Sequence, residues 1–323
     1  MVLTAAVAGA ALAAGVLVFG GFLLREDEAP GAESEGGDVV AAADALSASI
    51  VLVEVEGPTG MISGSGVSLG DGQVVTGGQL VDTGTTVTVI DAAGRRHSSR
   101  VVGNDGESNL ALMEVDAPLP PAPLGRADLL ADEASVVAMS AARGPGHWMH
   151  PATLRGRDLL VTTSDGDVFA GLLATDAPTG AAHVGGALVD RDGKVVGILV
   201  SPPGASTTGA ALPIETVTGV CDQLRRNGTA DHGWLGVTGS DGDGGIEVEG
   251  VVDASPAEEA GLEPGDTIIA IGDEPLEGIG ALAAAIRDRR PGDDVHLLVQ
   301  QDGTAQRMTI TLGSLESSPL ATP

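Results

Sequence analysis

The chain has 323 residues, 43% of them hydrophobic, with 16 basic against 45 acidic side chains and a net charge of −29. That length accommodates two folded domains, each able to bury a core, and the apolar share excludes a disordered acidic chain. The negative field repels phosphate backbones and so argues against nucleic acid as a partner, while a single cysteine excludes an intrachain disulfide and a thiolate metal cluster.

Residues 1–24 carry no charge and form an apolar run of the roughly 20 residues that a helix needs to cross a bilayer. The run passes into "REDE" with no small-x-small cleavage site at its end, so an uncleaved transmembrane anchor is expected in preference to a signal peptide. Arg25 by itself weakly favours keeping the following residues inside. Residues 25–45, rich in Glu, Asp, Gly and Ala, read as an acidic flexible linker.

Residues 46–228 carry short apolar or alternating runs broken by Gly, Asp and Pro, among them "SIVLVEVEG", "SGSGVSLGDGQVVTGG" and "GALVDRDGKVVGILVS". Repeated short strands with turn chemistry between them predict an all-β sandwich or barrel. Asp71-Gly72 and Asp192-Gly193, each between apolar runs, predict hairpins. "PIETVTGVCDQLRRNG" predicts an amphipathic helix closing this domain, with Cys221 as a small buried hydrophobe. "HWMH" (His147, Trp148, Met149, His150) reads as a loop anchored by Trp148; two histidines without a third ligand are weak grounds for a metal site. Ser140 and Ser164 fall at predicted strand ends with no base beside them.

Residues 232–315 predict a compact α+β module. In "SPAEEAGLEPGDTIIAI", Pro256 opens a helical turn, Gly261 caps it and Gly265-Asp266 turns into a strand. "GIGALAAAIRDRRPG" predicts a helix stopped by Pro291-Gly292, and Asp302-Gly303 predicts a hairpin. Residues 316–323 read as a loose tail.

Several ordered segments together carry a family likeness. "GSGVSLGDGQVVTGGQLV", "VVGNDGESNLALMEVD", "TDAPTGAAHVGGALVDRDGKVVGI" and "TGAALPIETVTGVCDQL" resemble successive segments of the HtrA/DegP-like trypsin-fold serine proteases that carry a C-terminal PDZ domain. The resemblance implies a mainly β fold, a trypsin-like double β-barrel followed by an α+β PDZ domain, and it places the folded part outside the cytoplasm. It also puts Gln79 at the general base, Asn109 at the acidic orienter and Val184 at the nucleophile, just ahead of the retained Gly185-Gly186.

None of these three can perform its role. Serine attacks a carbonyl only when an imidazole takes its proton and a carboxylate stabilises the imidazolium; an amide, a second amide and an isopropyl group do neither. Ala182 stands where the family's glycine lends an N–H to the oxyanion hole. A rearranged pair of His183 and Asp176 is conceivable, with a histidine in a relaxed loop as the blander reading.

The PDZ resemblance implies that Leu235, Gly236 and Val237 of "GWLGVTG" present backbone N–H groups to a peptide carboxylate, and that Leu282 and Ile286 line the apolar pocket beside them. For Ile286 a plain core role is equally open. Arg287, Arg289 and Arg290 read first as a solvated helix end. The expectation is a membrane-anchored pseudoprotease that binds peptide C-termini or unfolded segments, without cofactor or metal, in envelope quality control, scaffolding or regulation. A homo- or hetero-oligomer with HtrA-like proteins is left open. The alternative is an active serine-type endopeptidase.

Overall fold

The computed structural model describes residues 40–58, 60–82, 86–143, 146–163, 168–201 and 209–314. The expected anchor over residues 1–24, Ser164 and the tail lie outside them; among the described residues no helix is long and apolar enough to cross a membrane. Packing begins inside the stretch expected as linker: residues 40–44 form a helical turn, and Ala43 and Leu46 are buried in the largest core cluster.

The first closed barrel has the order β1-β2-β3-β6-β5-β4, built from β1 Ile50–Gly57, β2 Gly60–Gly70, β3 Gln73–Gly77, β4 Thr86–Ile90, β5 Arg96–Asp105 and β6 Leu110–Val115. The second has the order β10-β11-β12-β9-β8-β7, from β7 Ser135–Ala141, β8 His147–Thr162, β9 Val168–Thr175, β10 Ala187–Val189, β11 Val195–Leu199 and β12 Ala210–Pro213. Closure leaves no open sheet edge. Branched aliphatic residues from both barrels, including Val67, Leu112, Val137 and Ile198, share one core with Val217, Val220 and Leu224 of the closing helix.

The glycine-marked turns form as their chemistry requires. Asp71 and Gly72 both have positive φ, 52° and 73°, as the tight hairpin needs at its two central residues. The "HWMH" segment is not a loop. It opens β8, where His147, Trp148, Met149 and His150 pair with Ala141, Ser140, Met139 and Ala138; the alternation is hidden in the sequence because His and Trp occupy positions where apolar residues would signal a strand.

A single helical turn, α1 (Gly78–Val81), follows β3, and α2 (Ile214–Asn227) closes the barrels, with Cys221 buried and its thiol pushed up to about 12 by that burial. The C-terminal module comprises β13 Gly233–Trp234, β14 Val237–Gly242, β15 Gly245–Val251, α3 Pro256–Glu259, β16 Thr267–Ile271, β17 Glu274–Pro275, α4 Ile279–Arg287, β18 Asp294–Gln301, β19 Thr304–Thr311 and β20 Gly313–Ser314. Its main sheet runs β14-β15-β16-β18-β19, which leaves β14 at an edge.

This module rests on the second barrel through α4. A Cβ on Gly280 would come within 1.9 Å of the Asp158 carbonyl oxygen in β8, so the approach depends on a residue without a side chain. Arg287 is part of this contact: its side chain is only 13% exposed, and its guanidinium donates to the Val168 carbonyl at 2.5 Å. The solvated role expected for Arg287 is therefore wrong, because the second barrel covers the helix face on which it lies.

Candidate functional site

One helical turn and two loops bring Gln79, Asn109 and Val184 together at the junction of the two barrels. Gln79 sits on α1, and its backbone N–H donates to Asn109 Oδ1 at 2.8 Å. Asn109 Nδ2 lies 3.4 Å from Gln79 Oε1, and the Asn109 carbonyl accepts from Gly78 N–H at 2.8 Å. Asn109 has φ of 54°, a left-handed conformation that asparagine tolerates better than most residues. The two amides hold each other, and the pairing provides neither a proton acceptor near neutral pH nor a charge.

Val184 is 1% exposed and belongs to the first barrel's core with Leu80 and Val81. Its carbonyl accepts from Ser65 N–H at 2.8 Å, and a Cβ on Gly77 would meet Val184 Cγ1 at 2.2 Å. An isopropyl group thus packs against the backbone one residue ahead of α1. The preceding residues Ala181–His183 form a single 3-10 turn, closed by His183 N–H on the Gly180 carbonyl at 2.8 Å.

Beside this turn lies a contact that sequence reasoning does not find. Ser140 on β7 places Oγ 3.4 Å from His183 Nδ1, the long end of hydrogen-bonding distance. Ser140 is 1% exposed, so its oxygen is closed off from solvent. The His183 ring stacks on Trp148 at 4.0 Å between centroids, and burial holds its pKa below the usual histidine value. Asp176 is not paired with it: its carboxylate is taken by Thr153 N–H at 2.7 Å and by Arg155 at 2.5 Å. Chain distance conceals the Ser140–His183 pair, because β7 and the 3-10 turn meet only when the second barrel closes.

Trp148 also stacks on His150 at 5.8 Å, and His147 Nε2 lies 3.2 Å from the Ile50 carbonyl. No group of three metal-ligating side chains occurs among the described residues.

In the C-terminal module, Leu235, Leu282 and Ile286 lie in the core, at 4%, 2% and 6% exposure, together with Ile246, Ile268 and Leu297. Val237 is half-buried at the start of edge strand β14, and Gly236 bends between Trp234 and Ser255. The Leu235 carbonyl accepts from Ala257 N–H at 3.0 Å and that of Gly236 from Val252 N–H at 2.9 Å, which fixes the loop from behind. Asp241 Oδ1 accepts from Ile279 N–H at 2.7 Å and ties β14 to the start of α4.

Two family models match this architecture: a trypsin-like peptidase domain over residues 64–198 and a PDZ domain over residues 233–312. The chain joins a trypsin-like peptidase domain to a PDZ domain and is homologous to the DegP/HtrA proteins. It is 28% identical over 265 residues to the "Probable periplasmic serine endoprotease DegP-like" of Halomonas elongata, covering 77% of this chain and 55% of that protein. It is 29% identical over 271 residues to a protein so described from Rhizobium meliloti, covering 76% and 52%. The HtrA-like chain therefore spans about half the length of these curated relatives. Among solved structures, the "HtrA-type protease AlgW with tripeptide" superposes with a TM-score of 0.69 over 86% of this chain and 97% of its own, at 24% identity. The serine endoprotease from Yersinia pestis gives 0.59 at 26% identity, covering 87% and 98%.

Proposed function

We propose that this protein is a pseudoprotease: a trypsin-like frame without acyl-transfer chemistry, joined to a PDZ domain that binds peptide C-termini or unfolded protein segments. One observation carries the reading: Gln79 and Asn109 are tied to each other as neutral amides, and Val184 is packed as a core residue against Gly77. Loss of one triad member typically lowers the rate by about 10⁴-fold or more, and here all three positions hold groups unable to act. Leu235, Gly236 and Val237 are the residues we assign to the peptide carboxylate, with the free edge of β14 as the strand that the peptide extends. We assign Leu282 and Ile286, both buried in the domain core, to the apolar floor beneath that strand. The chain works outside the cytoplasm, anchored through residues 1–24, in scaffolding or regulating envelope proteolysis; the periplasmic descriptions of its relatives support the location. The same family likeness supports a homo- or hetero-oligomer with HtrA-like proteins.

A second reading, an active serine-type endopeptidase, is favoured by the Ser140–His183 contact at 3.4 Å. Casein turnover and labelling by a serine-directed fluorophosphonate separate the two. The pseudoprotease gives neither; labelling of Ser140 that tracks turnover and disappears in Ser140→Ala overturns it. For the PDZ domain, amidating the terminus of a bound peptide abolishes binding, whereas undiminished binding would move recognition to an internal strand.

A further inference from the structure

His232, just ahead of β13, is 6% exposed and spans the boundary between the PDZ domain and the first barrel. Its Nε2 lies 3.0 Å from Asp105 Oδ2 at the end of β5, and its Nδ1 lies 3.1 Å from the Arg287 carbonyl oxygen at the end of α4. A carbonyl oxygen only accepts. Asp105 Oδ2 already receives Ser108 N–H at 3.0 Å and the Ser108 hydroxyl, which fits a carboxylate. A neutral imidazole has one N–H and would set its remaining lone pair against an oxygen. Only the imidazolium donates on both sides.

The surrounding charges come from every element packed there. The turn after β5 contributes Asp105, Glu107 and Ser108; α4 contributes the Arg287 guanidinium, 4.0 Å from Glu107, and Asp288. On α2, Thr216 Oγ1 donates to the Asp288 carboxylate at 3.2 Å. Asp231 precedes His232 and is exposed, its N–H bonded to Gln223.

We propose that His232 is a proton-operated latch, which as the imidazolium clamps the α4 end of the PDZ domain to Asp105 of the first barrel and, on losing its proton at rising pH, lets the PDZ domain undock. The latch is independent of whether the cleft is catalytic. Burial opposes a charge on His232, but the hydrogen bond and charge of Asp105 and the Arg287 carbonyl outweigh it and raise the ring's pKa. Burial likewise disfavours ionised Asp105, and His232 and Ser108 outweigh it in the other direction. The signs therefore define a window. The histidine contribution is complete below the ordinary value of about 6.5 and fades as pH rises through the raised one. The aspartate contribution is complete above about 3.9 and fades as pH falls through the depressed one.

Both ends of the latch lead to segments already described. His232 runs directly into the Gly233–Trp234 strand and the Leu235-Gly236-Val237 loop, and its other bond holds the end of α4. Asp105 opens the turn that closes on Asn109. Undocking thus frees one end of the peptide groove and relaxes the turn that carries the Gln79 contact.

The test uses the full chain with spin labels on Arg191→Cys and Thr304→Cys, both exposed positions, and the buried Cys221 left in place. Between pH 6 and pH 9 the fraction at the longer inter-label distance rises several-fold, following the loss of the His232 proton. In His232→Gln, which carries no titrating proton, that fraction is the same at both values. An unchanged distance distribution in the parent chain, or a transition that persists in His232→Gln, overturns the latch. If the variant does not fold, titration of the ring carbon signals of ¹³C-labelled histidine in the parent chain tests the latch independently. A His232 midpoint above about 6.5 supports the proposal, and one at or below it overturns it.

Discussion

The turn between β5 and β6 serves two surfaces with opposite chemistry. Toward the PDZ domain it presents Asp105, a buried carboxylate paired with His232 at 3.0 Å. Toward the cleft it presents Asn109, an uncharged amide that receives the Gln79 N–H at 2.8 Å. Acid and base therefore meet at the domain junction, whereas the corresponding place in the cleft holds two amides and a valine. Backbone framing is common to both: strand ends and tight turns position the side chains, and the identity of a few of them decides whether the site moves protons or merely packs. A trypsin-like frame is thus no guarantee of trypsin-like chemistry.

The most severe way to break this contrast is to give the cleft back its charges. In Gln79→His/Asn109→Asp/Val184→Ser, peptide hydrolysis rises by about 10³-fold or more over the parent, while Val184→Ser alone stays at background because no base accepts its proton. Equal turnover by parent and triple variant would mean that the frame or another residue, not these three, sets the activity.

Taking the charge from the junction comes next. Asp105→Asn leaves His232 facing a neutral amide and lowers stability by about 3–5 kcal/mol near pH 6, the usual result of breaking a buried pair. The loss shrinks as pH rises through the raised His232 value, because the parent then loses the same interaction. Denaturant melts at pH 6 and pH 9 check both the size and the sign.

The smallest effects lie on the neutral side of the turn. Asn109→Ala removes the acceptor for Gln79 N–H and places alanine at a positive φ, at a cost of about 1–3 kcal/mol. Gln79→Ala removes only the 3.4 Å contact of a half-buried side chain and costs about 0.5 kcal/mol or less. Melts that rank Gln79→Ala above Asn109→Ala would show that the amide pair, rather than the backbone bond, holds the turn.

Much of this was legible in the chain. Asp71-Gly72 and the short valine-rich runs specified hairpins and barrels, and the family resemblance between Thr76 and Gly186 pointed to Gln79, Asn109 and Val184, which the fold brings to one place. Ser140 beside His183, the strand over "HWMH" and the burial of Arg287 were not legible. Each depends on surfaces that meet only after the second barrel closes or the PDZ domain docks.

The linear order of residues supplied Gln79, Asn109 and Val184 to the positions we assign to the cleft, and the chemistry of each side chain is fixed by residue type. It could not determine that His232 carries a charge. That follows from two oxygens, one from β5 and one from α4, facing the ring from opposite sides. A histidine's protonation depends on its neighbours in space, and the residues that supply those neighbours lie far from it along the chain.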